Sequence, residues 1–194
     1  CLLVFAWLAV RGQLGAVRAA LADPVSRRRL AGSATLISFN WLIYIWSVNN
    51  GHVLDASLGY FINPLLNIVL GVLVLSERLV RTQWIAVGLA AAGVLYLAFV
   101  MERPPWIARA LATTFGIYGL IRKVVTVESV PGHAVETVLL TPFAAGFLLW
   151  VTWRGTGALG HSSSLVDLLL IGIGLATALP LALFAYGARL IPLS

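Results

Sequence analysis

The stretch SLGYFINPLLNIVLG, residues 57–71, places Asn63, Pro64 and Asn67 inside an otherwise apolar segment. Tyr60, Asn63 and Asn67 follow an i, i+3, i+7 spacing and share one face of a helix. Asn40, Tyr44 and Ser47 make a second such stripe in the preceding apolar run. Three amides and two phenols can donate or accept hydrogen bonds, and the rings can stack on a ligand. Pro64 has no N–H to give the carbonyl of Tyr60, which leaves that acceptor needing another partner. Polar groups in an apolar medium are costly unless paired. Two readings follow. Each amide taken alone is glue between helices, worth about 1 kcal/mol or less. Taken as a set, the stripes face a wet cavity that a small molecule could enter.

The medium follows from composition. Of 194 residues, 60 % are hydrophobic and 10 % charged, with a mean hydropathy of +0.97. A soluble domain carries about a quarter charged residues, so this surface belongs in lipid. About 20 apolar residues cross the hydrocarbon layer as a helix, and helices are the default because hydrocarbon cannot satisfy backbone groups. The expected fold class is all-α, a polytopic transmembrane helix bundle. Residues 1–10 read as a partial span, and full spans are expected at about 30–48, 54–75, 83–101, 106–121, 134–153 and 165–188. No signal peptide is visible, and the opening at Cys1 and the short first run suggest a fragment.

The net charge of +6 reads as topology rather than nucleic-acid binding, because the basic residues lie between apolar runs. Arg11, Arg18, Arg27, Arg28, Arg29, Arg78, Arg81, Arg122, Lys123 and Arg189 fall on one side of the membrane, and Arg103, Arg109 and Arg154 on the other. This bias puts the first group in the cytoplasm. The loop VNNGHV, 48–53, then faces outward. Trp46, Trp84, Trp106 and Trp153 lie near span ends, as an interfacial belt requires. On this topology Asn40 lies roughly 12 Å and Asn63 roughly 13 Å from the outer ends of their helices. The two amides are therefore expected at similar depth on neighbouring segments. The MERPP stretch, 101–105, marks a boundary between two bundles.

NWLIYIWSVNNGHVLDASLGYFINPLLNIVLGVLVLSERL, residues 40–79, resembles the RarD-like permeases, EamA-type members of the drug/metabolite transporter superfamily. GIYGLIRK, 116–123, and the closing RLIPLS also fit. The resemblance implies a fragment of a ten-helix inverted-repeat (5+5) transporter with both termini cytoplasmic. Residues 1–101 would hold the first repeat from part of helix two to helix five. Residues 102–194 would hold helices six to eight of the second. Helices one, nine and ten would be missing. The resemblance also implies a secondary transporter in a bacterial inner membrane, exporting a small metabolite or drug-like molecule by alternating access. The family usually carries a chloramphenicol label, which does not define the physiological substrate.

The expected lining residues are Asn40, Tyr44, Tyr60, Asn63, Asn67 and Tyr118, with plain helix packing equally open for Tyr118. Glu77, four before Arg81 in the favourable i, i+4 order, reads as a helix-end lock or topology anchor, and otherwise as a gate. Asp55, with His52 nearby, suits an exposed helix N-terminus, or else an entry point at the outer mouth; the family more often has Glu there. Glu136 reads as an exposed helix start, and Arg122 and Lys123 as cytoplasmic anchors. Pro142 and Pro180 could kink their helices, and Gly172, Gly174, Ala176 and Ala178 would admit close helix approach.

One cysteine and three scattered histidines offer no metal or disulfide framework. No nucleophile–base pair, phosphate-cradling loop or paired mid-membrane carboxylates stand out, and GIGLATALP, 172–180, lacks the strand that a dinucleotide loop needs. The chain is therefore expected to be no enzyme, with no cofactor and no metal. Its expected partners are a small-molecule substrate and the lipid bilayer, not nucleic acid; a homodimer is left open. A membrane-embedded enzyme and a scaffold that only packs helices are the alternatives.

Overall fold

The computed structural model describes residues 2–100, 105–157 and 163–190, and the regular elements among them are all α-helices. In chain order they are α1 (Leu2–Val10), α2 (Leu14–Ala22), α3 (Pro24–Asn49), α4 (Val53–Leu75), α5 (Arg81–Val100), α6 (Trp106–Val124), α7 (Ser129–Trp153) and α8 (Ser164–Leu190). Among the described residues, α3, α4, α5 and α7 are long and apolar enough to cross a membrane. The span expected at 106–121 forms as α6, but with Arg109 near one end and Arg122 and Lys123 at the other it holds no apolar stretch as long as those of the four. Most of the proposed boundary at MERPP lies outside the described residues.

Residues 11–29 are not a connecting loop. LGAVRAALA, residues 14–22, is built from good helix formers. It buries Val17 and Ala20, an i, i+3 pair, and leaves Arg18 exposed. Asp23 then starts α3. Its carboxylate accepts the backbone N–H of Ser26 (2.9 Å) and of Val25 (3.3 Å). Pro24 occupies the first helical position, where no N–H is needed. The Ser26 side chain and backbone N–H, donating to the carboxylate, hold Asp23 below its ordinary value of 3.8. Arg27, Arg28 and Arg29 consequently ride exposed on the first turns of a longer helix than expected.

The chain divides into two compact units. One comprises residues 1–34 and 125–187. There α7 packs on α2 and on α1, around a core of Leu8, Val17, Ala20, Leu30, Val125, Ala134 and Val135.

The other comprises residues 35–124 and 188–194, and its dominant packing is α4 against α6. A Cβ on Gly59 would lie 3.2 Å from the Ala108 carbonyl oxygen and 3.2 Å from Leu111 Cβ. A Cβ on Gly116 would lie 3.0 Å from Leu66 Cδ2 and 3.3 Å from Asn67 Oδ1. Both contacts advance in the same direction along the two helices, so α4 and α6 run parallel. By contrast, a Cβ at Gly172 or Gly174 would meet nothing within 4 Å among the described residues. The close approach that small residues permit therefore occurs at Gly59 and Gly116. The α5 helix buries no residue and keeps an apolar surface outward, as a lipid-facing helix would.

α4 is continuous through Pro64, whose ring lies on the exposed side of the helix. It ends at Ser76, whose left-handed φ of 56° turns the chain, while the Glu77 N–H donates to the Gly71 carbonyl at 3.1 Å. At the other end, Gly51 adopts φ 78° in the turn between α3 and α4, a conformation glycine reaches without steric cost.

Gly59→Val should destabilise the protein by about 2 kcal/mol, because the obstructing atoms include helix backbone that must move as a unit. Gly93→Ala, which faces open space on α5, should change stability by less than about 1 kcal/mol. Thermal unfolding in detergent compares the two. Since Asp23 has a lowered pKa, its stabilising effect is fully present above its unfolded value and disappears as pH falls through the folded one. Asp23→Ala should therefore lower the melting temperature at neutral pH, and the difference from wild type should fade in acid.

Candidate functional site

Asn40, on α3, points at α6. Its Nδ2 donates to the Leu111 carbonyl (2.8 Å) and to Thr114 Oγ1 (2.8 Å). The Thr114 hydroxyl proton is directed to the Ala110 carbonyl at 2.7 Å. A mid-helix threonine thus relays the bond, and α3 is tied to α6 rather than to the amides of α4.

Beside this tie is a half-open pocket of about 20 Å³. Asn40, Ala56, Gly59, Tyr60, Asn63, Leu111 and Phe115 line it. Three of the six expected lining residues therefore meet there: Asn40, Tyr60 and Asn63. The pocket has room for one water or one small functional group, far below the few hundred Å³ that enclose a drug-sized ligand. No charged side chain lines it.

The other three lie nearby in different roles. Tyr44 sets its ring edge against Tyr60, with centroids 6.1 Å apart, and against Trp41 at 6.0 Å. Asn67 lies a turn beyond the pocket, opposite Gly116. Tyr118 is fully buried and packs on Phe115 with centroids 5.8 Å apart; it does not line this pocket. The Oδ1 atoms of Asn63 and Asn67 are buried and accept no hydrogen bond among the described residues. Natural proteins rarely leave buried polar atoms so, because the missing bond costs about 1–3 kcal/mol.

Each end of α4 is fastened. At one end His52 Nδ1 lies 3.2 Å from Asp55 Oδ2, and the His52 ring stacks on Trp46 at 5.5 Å. Trp46 in turn meets Trp106, at the start of α6, at 5.8 Å. Asp55 is in the first turn of α4, where a carboxylate complements the helix dipole. At the other end Lys123 Nζ donates to Glu77 Oε1 at 2.6 Å. The helical i, i+4 pairing of Glu77 with Arg81 does not form, because residues 76–80 are not helical. Arg81 instead opens α5 and is exposed. The lock joins α4 to α6, and its cation is a residue expected to be a solvated anchor. Arg122 departs further from that role, being fully buried.

The unit containing α7 holds a group that the sequence reading placed at the surface. Glu136 lies two turns inside α7, because that helix begins at Ser129. It is only 2 % exposed. Ser33 Oγ donates to its Oε1 at 2.6 Å, and His133 Nδ1 lies 3.4 Å from its Oε2. The signal available in the sequence was the i, i+3 spacing of His133 and Glu136. No group of three or more His, Cys, Asp or Glu side chains able to hold a metal occurs among the described residues.

Helices with apolar exteriors, a glycine-mediated parallel pair and a small amide-lined pocket define an α-helical polytopic membrane protein. The model of the EamA-like transporter family matches residues 1–99, about half of the chain, and the chain belongs to that family. It is 47 % identical over 189 residues to "Protein RarD" of Streptomyces exfoliatus, covering 97 % of this chain and 60 % of that protein. It is 48 % identical over 165 residues to "Protein RarD" of Escherichia coli, covering 85 % and 56 % respectively. It is 30 % identical over 161 residues to "Chloramphenicol-sensitive protein RarD" of Pseudomonas aeruginosa, covering 83 % and 53 %. These values support a RarD-like permease of the EamA type. The chain spans less than two thirds of the length of these relatives. No solved structure matches the chain significantly.

A double-mutant cycle on Glu77→Gln and Lys123→Met should give a coupling energy of about 1 kcal/mol, since the pair is partly shielded from water. The same cycle on Glu77 and Arg81 should give a coupling near zero. Thermal unfolding at low and high salt measures both.

Proposed function

We propose that the chain is part of a secondary transporter in a bacterial inner membrane, which exports a small metabolite or drug-like molecule by alternating access. One observation carries this reading. Asn40, Tyr60 and Asn63, from two helices, border one half-open pocket against a third, and the Asn63 amide oxygen is buried without a donor among the described residues. A transporter must bind its cargo weakly and release it. An amide left short of a partner at a pocket wall can exchange protein, water and cargo contacts with little net change in free energy. The pocket is too small to enclose a drug-sized molecule, so it serves as a foothold for one group of the cargo. The name of the Pseudomonas aeruginosa relative supports testing chloramphenicol as one candidate cargo.

The scaffold reading has its own supporting observation, the two bonds by which Asn40 ties α3 to α6. Asn63 separates the two readings. Full-length protein in proteoliposomes, loaded with a metabolite panel that includes chloramphenicol, should show saturable flux. Asn63→Leu should lower that flux at least about ten-fold while melting temperature holds or rises, because a buried unpaired polar atom is removed. Unchanged flux in the variant, or absence of flux for every compound, would remove the proposal. Running the assay with and without a pH gradient distinguishes obligatory proton coupling from exchange or facilitated diffusion.

A further inference from the structure

The pocket beside Asn40 has a defined hydrogen-bonding sense. An asparagine amide can be placed either way round, and its partners decide the orientation. Here the Leu111 carbonyl can only accept, and the Thr114 hydroxyl directs its proton to helix carbonyls, Ala110 at 2.7 Å and Leu111 at 3.2 Å, so both present acceptors to Asn40. The atom facing them is therefore Nδ2. The Asn40 carbonyl oxygen consequently points away from these two acceptors, and no group among the described residues donates to it. Asn63, across the pocket, has an amide oxygen that is buried and likewise accepts no hydrogen bond among the described residues, whereas the Asn40 oxygen is not sealed from an incoming group. Neither amide oxygen has a donor among the described residues. The rest of the lining is apolar or aromatic, from Gly59, Leu111, Tyr60 and Phe115.

From this we infer that the pocket binds one uncharged N–H or O–H donor group, such as a primary amide or a hydroxyl, and excludes carboxylates. Three features favour that class. The unpartnered carbonyls require a donor. The lining has no carboxylate to offset a cation and no cation to hold an anion, so a charged group would lose its hydration without recompense. The volume, about 20 Å³, admits about one water-sized group, such as a hydroxyl or the NH2 end of an amide whose remainder stays at the open mouth. The Tyr60 and Phe115 rings at the wall suit a flat apolar body attached to that group. This inference rests on the transport reading only in taking the occupant to be part of the cargo; the binding chemistry stands by itself.

Benzamide, N,N-dimethylbenzamide and benzoate share one ring and differ in the group presented. Saturation-transfer NMR on the detergent-solubilised full-length protein measures their binding. Benzamide should bind saturably. N,N-dimethylbenzamide, which keeps the carbonyl but has no N–H, should bind about ten-fold more weakly, the ratio that one lost hydrogen bond of about 1.4 kcal/mol gives. Benzoate should not compete. Asn63→Leu should weaken benzamide binding by a similar factor, and Asn63→Gln, which keeps the amide, should retain part of it.

Equal binding of the two amides overturns the inference, and so does benzamide binding unchanged in Asn63→Leu. Absence of saturable benzamide binding means that a water only, or nothing, occupies the pocket, and overturns it too. If Asn63→Leu does not fold, the comparison of benzamide with its dimethyl analogue on the wild-type protein still decides. Flux that is lost in Asn63→Leu while the two amides bind equally would leave the transport reading standing and remove this one.

Discussion

The α4–α6 contact is close enough that a Cβ at Gly59 or Gly116 would crowd the facing helix, and the functional geometry of its unit depends on it. Gly59 and Gly116 remove the side chains that would hold the backbones apart. In lipid there is little hydrophobic drive for helices to associate, so dispersion contact between closely apposed backbones and interhelical hydrogen bonds supply the attraction. That contact turns the Asn63 and Asn67 face of α4 onto α6 and leaves Pro64 on the outside. It also fixes the height of Asn40 against Leu111 and Thr114.

The polar residues divide by how completely they are partnered. Asn40 donates twice and serves as a strut. Glu77 with Lys123, and His52 stacked on Trp46, fasten the two ends of the same helix pair. Glu136, held by Ser33 and His133, is a buried carboxylate in the unit built around α7. Among the described residues, Asn63 and Asn67 in this unit, and Gln13 in the other, carry buried amide oxygens without a donor. A sequence under pressure only to pack would place leucine at such positions. Departures from local consistency of this kind concentrate at functional sites.

Much of the architecture was legible from periodicity and charge. The span expected at 54–75 is α4 to within one residue, because its apolar run is bounded by a glycine turn and a polar segment. The amphipathic α2 was not, since nine residues crowded by arginines on both sides look like a basic loop until Val17 and Ala20 find a core. Lys123 and Glu136 were misread for a shared reason. Charge near a helix end suggests solvent, and only a neighbouring element can show otherwise.

By itself the sequence determined the medium and the elements. Apolar runs of about 20 residues have no stable form in lipid other than the helix, since each backbone group must be satisfied within the segment. It also determined which residues could do chemistry at all, because few amides and phenols interrupt those runs. The tertiary structure decided what they do. Whether Asn40 faces Asn63 or Leu111, and whether Glu77 meets Arg81 or Lys123, depends on where α6 lies. No local pattern encodes that placement, which comes from two glycines 57 positions apart in the chain. Pairing between distant segments is set by shape, and shape exists only once the helices have met.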